Sequence, residues 1–299
     1  MSNKRFSYSV FRRIARTKLL RKMEDKRYLK LAYLFSMGEK LDFNNVKTFN
    51  EKLQWLKVND RKPIYTTMAD KYLAKDFVDK TIGNGYTVPV YKTWENADDI
   101  DISELPEQFV LKTNHDNASV FICRDKSKFD INQARKALGK SLKNNFYYQY
   151  REWPYKNIKP LIFAEKYLDM GDALIDYKVM CFMGEPRYIQ LNYVSPTKHY
   201  QDFYSIDWKL LDINQSAYVD SSKQQCEPPK QLEEMLDLSR KLAKDTYFLR
   251  VDWFISEGKL YSGELTFFDG AGLTPYDDPL VDLEMGNMII LPNESRGDM

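Results

Sequence analysis

Apolar positions recur at helical spacing early in the chain and at strand spacing further along. Over 26–37, Tyr28, Leu31, Leu34 and Phe35 mark one helix face, and over 49–58, Leu53, Trp55 and Leu56 mark another. Gly38 and the run from Asp60 to Pro63 stop these two predicted helices. A third predicted helix covers 68–82 and ends at Gly83-Asn84-Gly85. The pattern then predicts a short strand at 87–91, a strand pair at 108–113 and 119–124 around a polar turn, a helix at 132–145 and a buried strand at 161–167. Two more strands within 174–194 meet at Met183-Gly184-Glu185, a helix covers 231–244, and a hairpin over 248–268 turns at Glu257-Gly258. Antiparallel hairpins with helices between them predict an α+β fold of two lobes. The expected divisions are a helical N-terminal segment at 1–65, a first lobe at 66–167 and a second at 168–299.

Composition narrows the class. The 299 residues are 43% hydrophobic and 29% charged, and no apolar run approaches the ~20 residues that span a bilayer. The N-terminus lacks the uninterrupted apolar stretch of a secretory signal, and Cys123, Cys181 and Cys226 are widely separated. Both features predict a cytoplasmic protein without a disulfide framework. With His115 and His199 as the only histidines, neither structural zinc nor a histidine-centred triad has its parts. A net charge of +2 gives no sign of nucleic-acid binding. The segment 4–30 is strongly basic with interspersed apolar residues, which suits either a helix docked on the rest of the protein or one resting on an anionic membrane surface, the inner membrane face included.

The candidate chemistry sits in strands. Arg250, Asp252 and Phe254 share one face of the first hairpin strand, and Glu264 and Thr266 share one face of the second. Mg²⁺ takes carboxylate, phosphate and water oxygens, and a nearby arginine holds a phosphoryl group in transfer, so these residues suit a metal–triphosphate site. A hairpin with paired surface charges is the plainer alternative. Lys112 ends an apolar strand before the loop 114–119, placed to meet phosphates as a point charge. Glu165 lies where an apolar strand exits into a linker, suited to an adenine amino group, while Asp176 and Lys178 alternate on a strand and suit ribose and phosphate.

In this order the elements resemble the ATP-grasp superfamily, and within it the branch similar to proteins of teichuronopeptide biosynthesis, found in capsule and polysaccharide pathways. The resemblance spans 67–292 and rests on Asp70-Lys71-Tyr72, Phe109-Val110-Leu111-Lys112-Thr113-Asn114-His115, Arg151-Glu152-Trp153, Glu165-Lys166-Tyr167-Leu168, Asp176-Tyr177-Lys178, Arg250-Val251-Asp252 and Gly263-Glu264-Leu265-Thr266-Phe267. It implies an ATP-grasp fold in which Lys112 and Lys178 contact ATP phosphates, and Glu165, Tyr167 and Leu168 line the adenine pocket. Asp176 would hold ribose, Asp252, Glu264 and Thr266 would bind Mg²⁺, and Arg250, with Lys112 and Lys178, would stabilise the transferred phosphoryl group. Three departures stand out: Thr266 replaces the usual Asn, the loop 115–119 has no glycine, and a helical segment replaces a Rossmann-like first domain.

The implied activity is an ATP- and Mg²⁺-dependent carboxylate–amine ligase working through an acylphosphate, with a glycan or sugar acid and an amine-bearing small molecule as partners. Two other readings stay open: a glycosyltransferase using a nucleotide sugar, and a non-catalytic glycan-binding relative. Lys71 is expected to be exposed at a helix start, the aromatic run 146–155 to fill core, His115 to be unremarkable, and Asp269-Gly270-Ala271-Gly272 to turn tightly facing the acceptor.

Overall fold

The computed structural model describes residues 20–116, 119–171, 173–215 and 220–292. The basic segment before Leu20, and Asn117 and Ala118 of the glycine-free loop, lie outside them. Helix α1 (Asp25–Met37) starts where Glu24 accepts from the N–H groups of Lys26 and Arg27, and stops at Gly38 in a left-handed conformation. It buries Tyr28, Leu29, Ala32 and Tyr33 against the rest of the protein. Helix α2 (Phe49–Asn59) opens with a capping box in which Thr48 and Glu51 each satisfy the other's backbone N–H.

The helix expected over 68–82 is two helices, α3 (Ile64–Ala69) and α4 (Leu73–Ile82). Asp70 breaks it. Its Oδ1 accepts from the N–H groups of Tyr72 at 2.9 Å and Leu73 at 3.1 Å, while Oδ2 accepts from Asn114 Nδ2 at 2.7 Å. A carboxylate satisfying the open N–H groups of α4 ends the previous helix there. The strand expected at 87–91 lies further on, as β1 (Val90–Trp94), and Thr87 forms only an isolated parallel bridge to Ser262.

Two antiparallel sheets follow. The smaller comprises β1, β2 (Phe109–Thr113), β3 (Val120–Cys123) and β4 (Ile162–Lys166) in the order β1-β4-β2-β3. Helix α5 (Ile131–Leu142) covers one face through Ala134 and Leu138, closing a core with Phe109, Leu111, Ile162 and Ala164. A short α6 (Tyr147–Tyr150) precedes β4, and after β4 the chain crosses to the larger sheet: β5 (Leu174–Phe182), β6 (Glu185–Val194), β7 (His199–Ser205), β8 (Leu210–Leu211), β9 (Phe248–Ser256) and β10 (Lys259–Thr266), in the order β10-β9-β5-β6-β7-β8. Helix α7 (Leu232–Leu242) packs on it through Met235, Leu238 and Leu242, and α8 (Pro279–Asn287) packs against α2.

Helices α1 to α4 share the core of the larger sheet, where Phe49 touches Phe182 and Phe248 with ring centroids 5.5 and 4.8 Å apart. The aromatic run before β4 fills core as expected, burying Tyr147 and Tyr155 with Ala69 and Ile158. Strands β7 and β8 and helix α8 carry no distinct sequence signal and were not expected.

Candidate active site

Strand register assembles the site on the larger sheet. Lys178 of β5 lies opposite Asp252 of β9, and Thr266 of β10 lies opposite Arg250. The β9–β10 register shifts between Ser262 and Leu265, a bulge that carries Glu264. Gly263 permits it, because a Cβ there would stand 2.6 Å from the Phe254 ring. Arg250 grips Asp252 with two bonds, Nε to Oδ1 at 2.7 Å and Nη2 to Oδ2 at 2.8 Å, and Nη1 reaches Asp269 at 2.6 Å. Thr266 accepts from Arg250 at 3.2 Å and donates to Glu264 at 2.7 Å. Lys178 stands 3.1 Å from Asp176 and 3.6 Å from Asp252.

Lys71 completes this group. It was expected at the surface, yet its side chain is only 13% exposed and stands 3.3 Å from Glu264. The break at Asp70 and the bond from Lys71 N–H to Asn114 carbonyl, 2.9 Å, turn it inward. The dipeptide Asp70-Lys71 was visible in the sequence, but its direction depends on Asn114, over forty residues away.

Across from this sheet, β2 and β4 present Lys112 and Glu165. Glu165 pairs with Lys112 through one oxygen and with Lys75 of α4 at 3.0 Å through the other. Lys75 had no sequence signal. A cavity of about 840 Å³ lies between the two sheets. Val110, Val120 and Ile122 form one apolar wall and Leu174, Val194 and Phe254 the other, with Tyr167 and Leu168 at the hinge and Lys71, Lys75, Lys112 and Glu165 at the rim. Val120 and Ile122 are about half exposed because they face this cavity rather than the core. His115 is buried and bonded to Asn114 Oδ1 and the Ser141 carbonyl, each at 3.2 Å, which makes it a structural residue.

Charge sets protonation. Burial opposes ionisation of Glu264, but Lys71 and Arg250, with the Thr266 hydroxyl, outweigh it and hold the carboxyl at about 2. Burial likewise opposes ionisation of Glu165, and Lys112 and Lys75 overcome it, keeping the carboxyl below its usual range. Asp176 goes the other way: burial and the charge of Asp252 raise it to about 6 despite Lys178 and Arg250. Among the described residues no three His, Cys, Asp or Glu side chains are grouped as a metal cage. Mg²⁺ needs only one or two carboxylates when phosphates supply the rest, and Asp252 with Glu264 fits that donor set.

Two antiparallel sheets enclosing an apolar slot, lysines on one side and an Arg-x-Asp strand beside a glutamate on the other, define a protein of the ATP-grasp class. The family model of TupA-like ATP-grasp proteins matches residues 51–290, and the chain belongs to that family. No curated protein matches it in sequence. Solved structures of similar fold include D-alanine–D-alanine ligase from Helicobacter pylori, with 15% identity and TM-score 0.45 over 81% of this chain and 69% of that one. L-amino acid ligase from Bacillus licheniformis gives 13%, TM-score 0.45, and 75% and 50% coverage. N5-carboxyaminoimidazole synthetase from Staphylococcus aureus gives 14%, TM-score 0.41, and 76% and 53% coverage. The chain thus spans about half the length of two of these proteins and 69% of the third.

Proposed function

We propose that this chain is an ATP- and Mg²⁺-dependent carboxylate–amine ligase. The observation that carries this reading is the apolar slot whose lysine-lined rim stands beside the Arg250–Asp252–Glu264 group. With lobes taken as 66–167 and 168–299, adenine lies between the apolar walls near Tyr167 and Leu168. Glu165 is held between two lysines at the cavity rim, and Asp176 would hold ribose. Lys112 and Lys178, now paired with carboxylates, exchange those partners for phosphate oxygens. Asp252 and Glu264 would hold Mg²⁺, with Thr266 beside them, and the ion would supply charge neutralisation on the phosphates.

Arg250 is fixed by Asp252 and Asp269 before substrate arrives, so its charge is preorganised for the phosphoryl group in transfer. A substrate carboxylate attacks the γ-phosphorus, giving ADP and an acylphosphate; an amine then attacks the acyl carbon and phosphate leaves. Positioning and charge carry both steps, with no side-chain nucleophile. The family supports a glycan or sugar acid and an amine-bearing small molecule as partners, in polysaccharide or capsule synthesis at the cytoplasmic side of a membrane. Nucleic acid is not expected as a partner, and the basic N-terminus is suited to peripheral membrane contact. Among the described residues no helix is long and apolar enough to cross a membrane.

A second reading, non-catalytic glycan binding, is favoured by one feature. Asp116, in the glycine-free loop that was expected to fold over phosphates, accepts instead from the hydroxyls of Ser119 at 2.7 Å and of Ser141 of α5. Calorimetry with MgATP tests the choice. Asp252→Asn and Glu264→Ala should each weaken binding at least tenfold in a chain that still melts cooperatively. Unchanged affinity in both variants would overturn the metal assignment, and no MgATP binding by the parent chain would favour the second reading.

A further inference from the structure

Gln190, Asn192, Gln201 and Gln215 have no role in the scheme above, although the larger sheet brings them to the site. Gln190 of β6 lies opposite Lys178 of β5, and Asp176, Asn192 and Gln201 form one row across β5, β6 and β7. Antiparallel partners share a face of the sheet, so these amides lie on the face that carries Asp176, Lys178 and Asp252. One strand spacing, about 4.8 Å, separates the backbones of Gln190 and Lys178, and two, roughly 10 Å, separate Gln201 from Asp176. The row adjoins the open site at Asp176 and Lys178, whose side chains are 16 and 14% exposed. Gln215 comes from the segment after β8 and bonds to Gln190.

Two of these amides are left short of a partner. Gln190 is 2% exposed and Gln201 8%, yet among the described residues neither Gln190 Oε1 nor Gln201 Oε1 has a hydrogen-bond partner. The orientation of Gln190 is fixed from the site itself. Asp269 accepts from Arg250 through Oδ1 at 2.6 Å and from Gln215 Nε2 through Oδ2 at 3.1 Å. An ion-paired carboxylate only accepts, so the Gln215 nitrogen must face it and the Gln215 oxygen must face Gln190. Gln190 Nε2 donates to that oxygen at 3.3 Å, which leaves Gln190 Oε1 as the free end. Gln201 Nε2 donates to Asn192 Oδ1 at 3.0 Å and also leaves its oxygen free. Asp176 Oδ1 is unpartnered too, and ribose would account for it; nothing in the scheme accounts for the two amide oxygens.

A buried acceptor without a donor is costly, and a ligand that brings donors relieves it. A phosphate or a carboxylate brings none. An ammonium group brings donors together with a charge, which Lys178 on the adjacent strand repels, and Asp176 is already paired with that lysine. Hydroxyl groups bring donors without charge and accept from amide nitrogens as well. Resting on the ligase reading, we propose that this row of amides binds the hydroxyl groups of a sugar-type substrate, Gln190 and Gln201 each accepting from one hydroxyl. The bonds from Gln190 through Gln215 and Asp269 to Arg250 then tie the sugar to the arginine assigned to the phosphoryl group.

The test is saturation-transfer NMR with D-glucose, D-glucuronate and D-galacturonate as probes and methylammonium as control, each with and without MgADP. The parent chain should bind at least one of the sugars saturably and methylammonium not at all. Gln190→Met and Gln201→Met remove the free oxygens at similar side-chain length. Each should weaken that sugar about tenfold, the worth of one hydrogen bond to a buried acceptor, with MgADP affinity within about twofold of the parent. Gln190→Met also deprives Gln215 of its donor, so Gln201→Met, whose side chain bonds to Asn192, keeps the test decisive if the first variant does not fold. Sugar affinity unchanged in the folded variants overturns the assignment. So does a methylammonium response lost in them, which would make the row an ammonium site, and so does a parent chain silent to all three sugars with or without MgADP. A parent chain that binds a sugar through these glutamines but no MgADP would strike the ligase reading and leave the sugar site standing.

Discussion

Two aspartates on neighbouring strands show how little residue type alone decides. Asp252 is gripped by both arms of the Arg250 guanidinium, whereas Asp176 faces the charge of Asp252 with a direct ion pair to Lys178 alone and Arg250 acting at a distance. The consequence for pH has a definite sign. The Asp176 carboxyl is raised from its ordinary value near 4 to about 6 by burial and by Asp252, so its contribution to stability is present below the unfolded value and lost as pH rises through about 6. Asp176→Asn should therefore melt higher than the parent at pH 8, by up to about 2–3 kcal/mol at roughly 1.4 kcal/mol per pKa unit, with the gain shrinking toward pH 4. Melts across that range check it, and a pH-independent difference would remove the electrostatic explanation. Arg250, Asp252, Glu264 and Thr266 were legible because strand alternation is local. Lys71 and Lys75 were not, because nothing within a few residues of either tells which way it points.

At the scale of elements, α2 is unusual in what it turns inward. Asn50, Gln54 and Lys57 form a buried polar stripe, and their donors take the carbonyls of Thr274 at 3.2 Å, Gly272 at 2.6 Å and Ala271 at 2.7 Å. The loop they hold contains Gly270, Ala271 and Gly272, all with φ between 52 and 58°, and begins with Asp269, which fixes Arg250. A helix from the N-terminal segment therefore orients the arginine through this loop, and the left-handed Ala271 is tolerated because its carbonyl accepts from both Gln54 and Lys57. A Cβ at Gly272 would clash with Gln54 Nε2 and stand 2.9 Å from Leu53 Cβ, in a conformation unfavourable to L-residues. Gly272→Ala should cost about 2–4 kcal/mol from overpacking and backbone strain together, measured by urea unfolding. A cost below about 1 kcal/mol would show that the loop yields without the helix. The apolar spacing of Leu53 and Leu56 made α2 readable; its buried lysine was not, since lysines in helices ordinarily face water.

Among the described residues two large cores stand apart, one under the smaller sheet and one shared by the larger sheet with α1 to α4, with a small third cluster around Tyr147 and Tyr155. Phe49, Leu53 and Leu56 of α2 belong to that second core, so the N-terminal helices are part of the folding unit that carries Arg250 and Glu264. Removal of residues 1–59 should leave a chain without cooperative unfolding, checked by circular dichroism melts, and a soluble fragment with a sharp transition would refute this. The sequence by itself determined the helix and strand periods, the α+β class, the hairpin carrying Arg250, Asp252 and Glu264, and the ordered motifs of an ATP-grasp protein, because each is written within a few residues. Only the tertiary structure decided that α3 ends at Asp70, that Lys71 meets Glu264 and that Lys75 shares Glu165 with Lys112. Those outcomes depend on partners brought together from distant parts of the chain and on the exclusion of water around them, which sets the cost of an unpaired charge.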